Sequence, residues 1–129
     1  MGEADLEGNV PVRAVLSPSG SFLATSFGSR TRNESTIALH EIETMTKTQS
    51  VVMPGFMAAC VAVSPDSKQL AVYGGDNGRS RLLQTDGFSI QRNIDTTGEA
   101  KRVCSVAFDP TCQVLAIGYQ GGRLELRSL

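Results

Sequence analysis

Residues Val12–Ala24 read VRAVLSPSGSFLA, and the chain repeats the phrase twice, as ACVAVSPDSKQLA over Ala59–Ala71 and CSVAFDPTCQVLA over Cys104–Ala116. Each copy is a short apolar run, then Ser-Pro or Asp-Pro, a polar turn, and Leu-Ala. Pro18, Pro65 and Pro110 hold the same place, with Leu23-Ala24, Leu70-Ala71 and Leu115-Ala116 following at a fixed distance. Apolar or small residues alternate before each proline: Val12, Ala14, Leu16; Ala59, Val61, Val63; Cys104, Val106, Phe108. The intervening Val15, Ala62 and Ala107 are also apolar, so the pattern predicts strands buried on both faces. Proline fixes φ and small polar residues close the bend, so Ser17–Gly20 and Ser64–Ser67 are expected to be tight turns.

The pattern extends outward from this nucleus. A second strand starts at each Leu-Ala, glycine-rich turns follow at Gly74–Gly78 and Gly121-Gly122, and third strands alternate as Ile37–His40 and Leu124–Arg127. Lys47–Met53 and Phe88–Ile94 suit fourth strands, and no stretch has an amphipathic helical period. Self-similarity at a period of about 45 residues predicts an all-β, propeller-type array of four-stranded antiparallel blades.

With those residues in view, the chain resembles the WD-repeat family of β-propellers across Val12–Leu129. The resemblance implies blades that often carry a buried His, Ser/Thr, Asp and Trp tetrad. Asp76 falls at the tetrad aspartate and Thr25 at the Ser/Thr position, where the other copies have Val72 and Ile117. The tryptophan position reads His40, Leu83 and Arg127, and no Gly-His dipeptide precedes a blade. The repeats are therefore degenerate, and apolar packing is expected to hold them in place of that network.

The expected organisation is an acidic leader or linker over 1–11 and a partial propeller over 12–129. Its blades fall at about 12–57, 58–102 and 103–129, the last lacking its fourth strand. Propellers close with roughly four to eight blades, so three leave the ring incomplete in this chain. Further blades of the same propeller, a protein partner, or a second copy in a homodimer would complete it.

Composition points to a β domain without a membrane span. The 129 residues are 40% hydrophobic with a formal net charge of −1, and no run approaches the roughly 18 apolar residues of a spanning helix. No charged-then-apolar leader is evident. The three cysteines, Cys60 and Cys104 in inner strands and Cys112 in a turn, have neither zinc-site nor disulfide-framework spacing. They read as small buried hydrophobes with one exposed thiol, and imply a reducing cytoplasmic or nuclear compartment. Asn33-Glu34-Ser35 matches a glycosylation sequon but has no secretory signal to accompany it.

Catalytic chemistry is hard to assemble from this chain. His40 is its only histidine and takes a packing position. Gly74–Arg79 lacks both the phosphate-loop Lys-Ser/Thr and the dinucleotide glycine spacing, and Asp76 reads as a turn carboxylate. The expectation is a protein that is not an enzyme, with no cofactor and no metal.

Function is therefore sought on the surface. The WD-repeat layout places the loops entering first strands and those joining second to third strands on one rim. Arg13, Arg30, Arg32, Arg79, Lys101, Arg102 and Arg123 map there, against Asp66, Asp109, Glu41, Glu43 and Asp86 on the other, with Lys47 and Lys68. A basic rim attracts acidic or phosphorylated peptide, or nucleic-acid backbone. Phe56 and Met57, in an apolar loop after Met53-Pro54, are residue types enriched at interface centres. The first function expected is a protein–protein interaction scaffold. The alternative is nucleic-acid or ribonucleoprotein association, made less favourable by the lack of aromatics among the basic loops.

Overall fold

A computed structural model describes residues 13–29, 32–54, 58–74, 80–94 and 103–129. They form eleven strands: β1 Arg13–Leu16, β2 Phe22–Ser29, β3 Glu34–Glu41, β4 Lys47–Pro54, β5 Ala58–Val63, β6 Gln69–Gly74, β7 Ser80–Gln84, β8 Ile90–Asn93, β9 Val103–Phe108, β10 Val114–Tyr119 and β11 Leu124–Ser128. Consecutive strands pair antiparallel into two sheets of four, β1–β4 and β5–β8, and one of three, β9–β11. These are blades 1, 2 and 3. The first strand of each later blade packs against the first and second strands of the blade before it, with β5 on β1 and β2, and β9 on β5 and β6.

The prolines mark one recurring turn. The residue before each, Ser17, Ser64 or Asp109, donates its N–H to the carbonyl of the residue five on (Phe22, Gln69 or Val114) at 2.9 Å. Its side-chain oxygen accepts that residue's N–H, at 3.1, 2.9 and 2.8 Å respectively. The turn closes through a left-handed residue two after the proline: Gly20, Ser67 and Cys112, with φ +74°, +61° and +62°. The Leu-Ala pair then enters the second strand in the same register in each blade, which is why the repeat is audible in the sequence.

A second left-handed position recurs in the turns between third and fourth strands, at Met45 and Phe88, both with φ +56°. Phe88 keeps this conformation because its ring is buried in the core between blades 1 and 2. Met45 has no such compensation, and a non-glycine residue there costs about 1 kcal/mol. Met45→Gly is expected to stabilise the fold by about 0.5–1 kcal/mol, read as a rise in the urea midpoint.

Two apolar layers join the three sheets. Ala24, Ile37 and Leu39 of blade 1 meet Val61, Val63, Leu70, Val72 and Leu83 of blade 2. Cys60, Ala71, Tyr73 and Leu82 on the other face of blade 2 meet Val103, Leu115, Ile117 and Tyr119 of blade 3. Fully burying each valine, leucine or isoleucine among them stabilises by about 1.5–3 kcal/mol.

Burial corrects one expectation. Of the first strands, only β5 has Cys60–Val63 buried on both faces; β1 and β9 are largely exposed. Blade 2 alone has a sheet on each side, and the outward faces of blades 1 and 3 leave Leu16 65%, Leu124 83% and Leu126 77% exposed. Cys104 is accordingly exposed on β9, with Cys60 buried and Cys112 half-buried, contrary to its reading as a buried small residue. The fourth strand of blade 2 also starts later than Phe88, because that residue belongs to the turn. Blade 1 retains part of a side-chain network as well. Thr25 Oγ1 lies 3.2 Å from His40 Nε2, with both residues buried.

Candidate interaction surfaces

Strand direction separates two rims. Register pairs Arg13 with Ser26 and Ser29 with Glu34, so the start of β1 and the β2–β3 loop share one end of blade 1. The β10–β11 loop occupies the equivalent end of blade 3. Arg13, Arg32 and Arg123 therefore stand at corresponding ends of their blades. Arg32 lies 3.7 Å from Glu34 across a loop that leaves its side chain 77% exposed. The Arg123 guanidinium sits 5.2 Å from the centre of the Tyr119 ring, a cation–π distance that orients the charge outward from a fixed platform. Arg30, Phe56, Met57, Arg79, Lys101 and Arg102, like Asp76, lie outside the described residues.

The opposite rim gathers the proline turns and the turns between third and fourth strands. The Ser19 N–H donates to Ser67 Oγ at 3.2 Å, tying two blades there. Gln49 bridges the same blades with both ends of its amide. Its Nε2 donates to the Thr85 carbonyl at 3.0 Å, and its Oε1 accepts from the Gly87 N–H at 2.7 Å. Asp66, Asp109, Glu41, Glu43 and Asp86 line this rim with Lys47 and Lys68. Hydrogen bonds from Thr111 and from the backbone of Val114, Gln113 and Thr111 hold the Asp109 carboxyl down to about 2. Asp66 is lowered in the same way, chiefly by Ser64. Each carboxylate's contribution is present above the ordinary aspartate value near 3.8 and is lost as pH falls through the lowered one.

A cleft of about 490 Å³ opens on this rim, lined by Asp66, Gln69, Gln84, Asp86 and Gln91 of blade 2 and Cys112 of blade 3. No local sequence pattern marks it. Its side chains come from both kinds of turn and from strand ends, joined only by the sheet register, in which Gln69 pairs with Gln84.

A polar cluster at the joint of blades 2 and 3 also went unread. Tyr119 donates its hydroxyl to Glu125 Oε2 at 2.6 Å. Arg127 donates to Glu125 Oε1 from Nε and a terminal nitrogen at 3.1 and 2.7 Å, and to the Ile94 carbonyl at 2.7 Å. Burial, and then the Glu125 carboxylate, push the Tyr119 hydroxyl up to about 12, while burial does the same to Tyr73. The Tyr119 hydroxyl and the Arg127 guanidinium lower Glu125. The folded state thus favours neutral phenols. Their contribution is whole below the ordinary value near 10 and is lost as pH rises from there toward 12. The urea midpoint is expected to fall steeply between pH 10 and 12, and Tyr73→Phe to flatten that fall.

Among the described residues no three His, Cys, Asp or Glu side chains converge on a metal-sized site. His40 is enclosed beside Thr25.

Solved structures share this arrangement. A chain of the mitotic checkpoint complex superposes with a TM-score of 0.77 at 20% identity, over 95% of this chain and 38% of that one. The β-propeller domain of Myceliophteria thermophila Cps50 (Swd1) gives 0.68 at 14% identity, over 90% of this chain and 35% of that one. The chain folds as part of a β-propeller. Kuenenia stuttgartiensis hydrazine synthase gives 0.73 at 14% identity, over 89% and 31%. This propeller portion spans about a third of the length of each of these chains, and the likeness is one of fold. No protein-family model and no curated protein matches the sequence.

Proposed function

We propose that the chain contributes WD-repeat-type blades to a non-catalytic protein-interaction scaffold, and that its basic rim holds an acidic or phosphorylated peptide segment. One observation carries this reading: Arg13, Arg32 and Arg123 occupy corresponding ends of their blades, while five carboxylates occupy the other rim. Rigid sheets present these guanidiniums at fixed separations, and guanidinium pairs carboxylate or phosphate through two parallel hydrogen bonds. By sequence, Arg30, Arg79, Lys101 and Arg102 belong to the same rim, with Phe56 and Met57 as apolar anchors. The free cysteines accord with work in a reducing cytoplasmic or nuclear compartment.

The test is fluorescence anisotropy with a labelled peptide of alternating glutamate and phosphoserine, at two salt concentrations. Saturable binding is expected that weakens with salt and loses at least tenfold in affinity in the Arg32→Glu/Arg123→Glu variant. Circular dichroism checks that this variant is folded. Unchanged affinity in the folded variant contradicts the reading. So does equally tight binding of a mixed-sequence single-stranded DNA, which would favour sequence-blind phosphate contact.

A further inference from the structure

Amide side chains gather at one place on the acidic rim. Register sets Gln69 opposite Gln84 in blade 2, where blade 1 has Phe22 opposite Glu41 and blade 3 has Val114 opposite Ser128. Phe22 packs against the core between blades 1 and 2. The repeat therefore does not require an amide pair at this position. Beside that pair, between blade 2 and the Cys112 turn of blade 3, lies the cleft of about 490 Å³. Its volume falls within the range of ligand pockets, about 300–1,000 Å³.

Each lining amide keeps one end unused. Gln69 Nε2 donates to Gln91 Oε1 at 2.8 Å, and Gln84 Oε1 accepts from the Ser89 hydroxyl at 3.0 Å. Gln69 Oε1, Gln84 Nε2 and Gln91 Nε2 have no partner among the described residues. A glutamine amide matches a peptide unit, because it accepts from the N–H and donates to the carbonyl. The joint of blades 1 and 2 already shows this pairing, where Gln49 takes the Thr85 carbonyl and the Gly87 N–H with its two ends.

The charges of the cleft are unbalanced, with Asp66 and Asp86 against Lys68. Asp66 commits one oxygen to the Ser64 hydroxyl and the Lys68 N–H, and the Cys112 thiol across the joint also helps hold its carboxyl down. Asp86 is exposed and takes no hydrogen bond or ion pair among the described residues. Both of its oxygens are open to a forked donor, and guanidinium meets a carboxylate through two parallel hydrogen bonds.

We propose that this cleft is a docking site for an extended segment of a partner protein that carries an arginine. The guanidinium pairs with Asp86, and the open ends of Gln69, Gln84 and Gln91 bond the backbone beside it. The site lies on the rim opposite Arg13, Arg32 and Arg123 and is independent of what those residues bind.

The test is fluorescence anisotropy with a labelled peptide of alternating arginine and threonine. Saturable binding is expected, about tenfold weaker in Asp86→Asn and about threefold weaker in Gln91→Ala. The Arg32→Glu/Arg123→Glu variant should bind at least as tightly as the parent. Both cleft residues are exposed, and circular dichroism checks that each variant is folded. In a chain with Cys60→Ser and Cys104→Ser, saturating peptide should slow alkylation of Cys112 severalfold, which places the peptide in the cleft. Absence of saturable binding, an affinity that either cleft change leaves unaltered, or alkylation indifferent to the peptide would overturn the proposal. So would equally tight binding of the same peptide with lysine in place of arginine, since an ammonium cannot make the forked pair.

Discussion

Leu70→Ala is expected to destabilise the fold by about 2–5 kcal/mol, the range for removing a fully enclosed leucine with partial collapse of the cavity. Leu70 is completely buried in the layer between blades 1 and 2, so the joint of those two sheets loses its contacts. The same repeat position offers an internal control. Leu115 is also completely buried and Leu23 only half-buried, so Leu115→Ala should approach Leu70→Ala in cost and Leu23→Ala should cost clearly less. Identical sequence context, Leu-Ala after a proline turn, thus gives unequal energies set by the covering blades. Urea denaturation of the three variants checks the order, and equal losses would contradict the burial pattern.

Arg127→Ala is expected to loosen the joint of blades 2 and 3 at a cost of about 2 kcal/mol. Breaking a buried ion pair by removing one partner typically costs about 3–5 kcal/mol. Arg127 and Glu125 are each about one-fifth exposed, at 20% and 21%, and solvent screening reduces the loss. The cost arises less from the lost attraction than from what is left behind: a carboxylate deprived of two donors and an Ile94 carbonyl deprived of its partner. The folded state holds Glu125 below the ordinary glutamate range, so the pair's contribution is present above about pH 4.5 and fades as pH falls through the lowered value. The wild-type advantage over Arg127→Ala should therefore be full at neutral pH and shrink in acid.

The repeats made much of the fold readable. The residue before each proline uses its backbone and side chain to bond the residue five positions on, so a local rule writes the first two strands of every blade. The limits of that rule are equally physical. Alternation in VRAVLS and CSVAFD is indistinguishable from that in ACVAVS, yet only the last is buried on both faces. Burial is decided by the blades on either side, a property no six-residue window contains. Arg13, Arg32 and Arg123 could be assigned to one rim because strand direction follows from counting strands. The Tyr119–Glu125–Arg127 cluster could not, since the β10–β11 register that sets Ile117 opposite Glu125 gathers residues from both sides of a turn. Its one sequence clue was Arg127 at a position where the neighbouring blade has Leu83.

Three sheets stack in chain order, and only the middle one is covered on both faces. Native-state amide hydrogen exchange, resolved strand by strand, tests this most directly. The predicted result is slowest exchange in Leu70–Tyr73 of β6 and their β5 and β7 partners, with Leu124–Ser128 of β11 among the fastest of the strand amides. Uniform protection across the three sheets, or protection of β11 equal to that of β6, would contradict it.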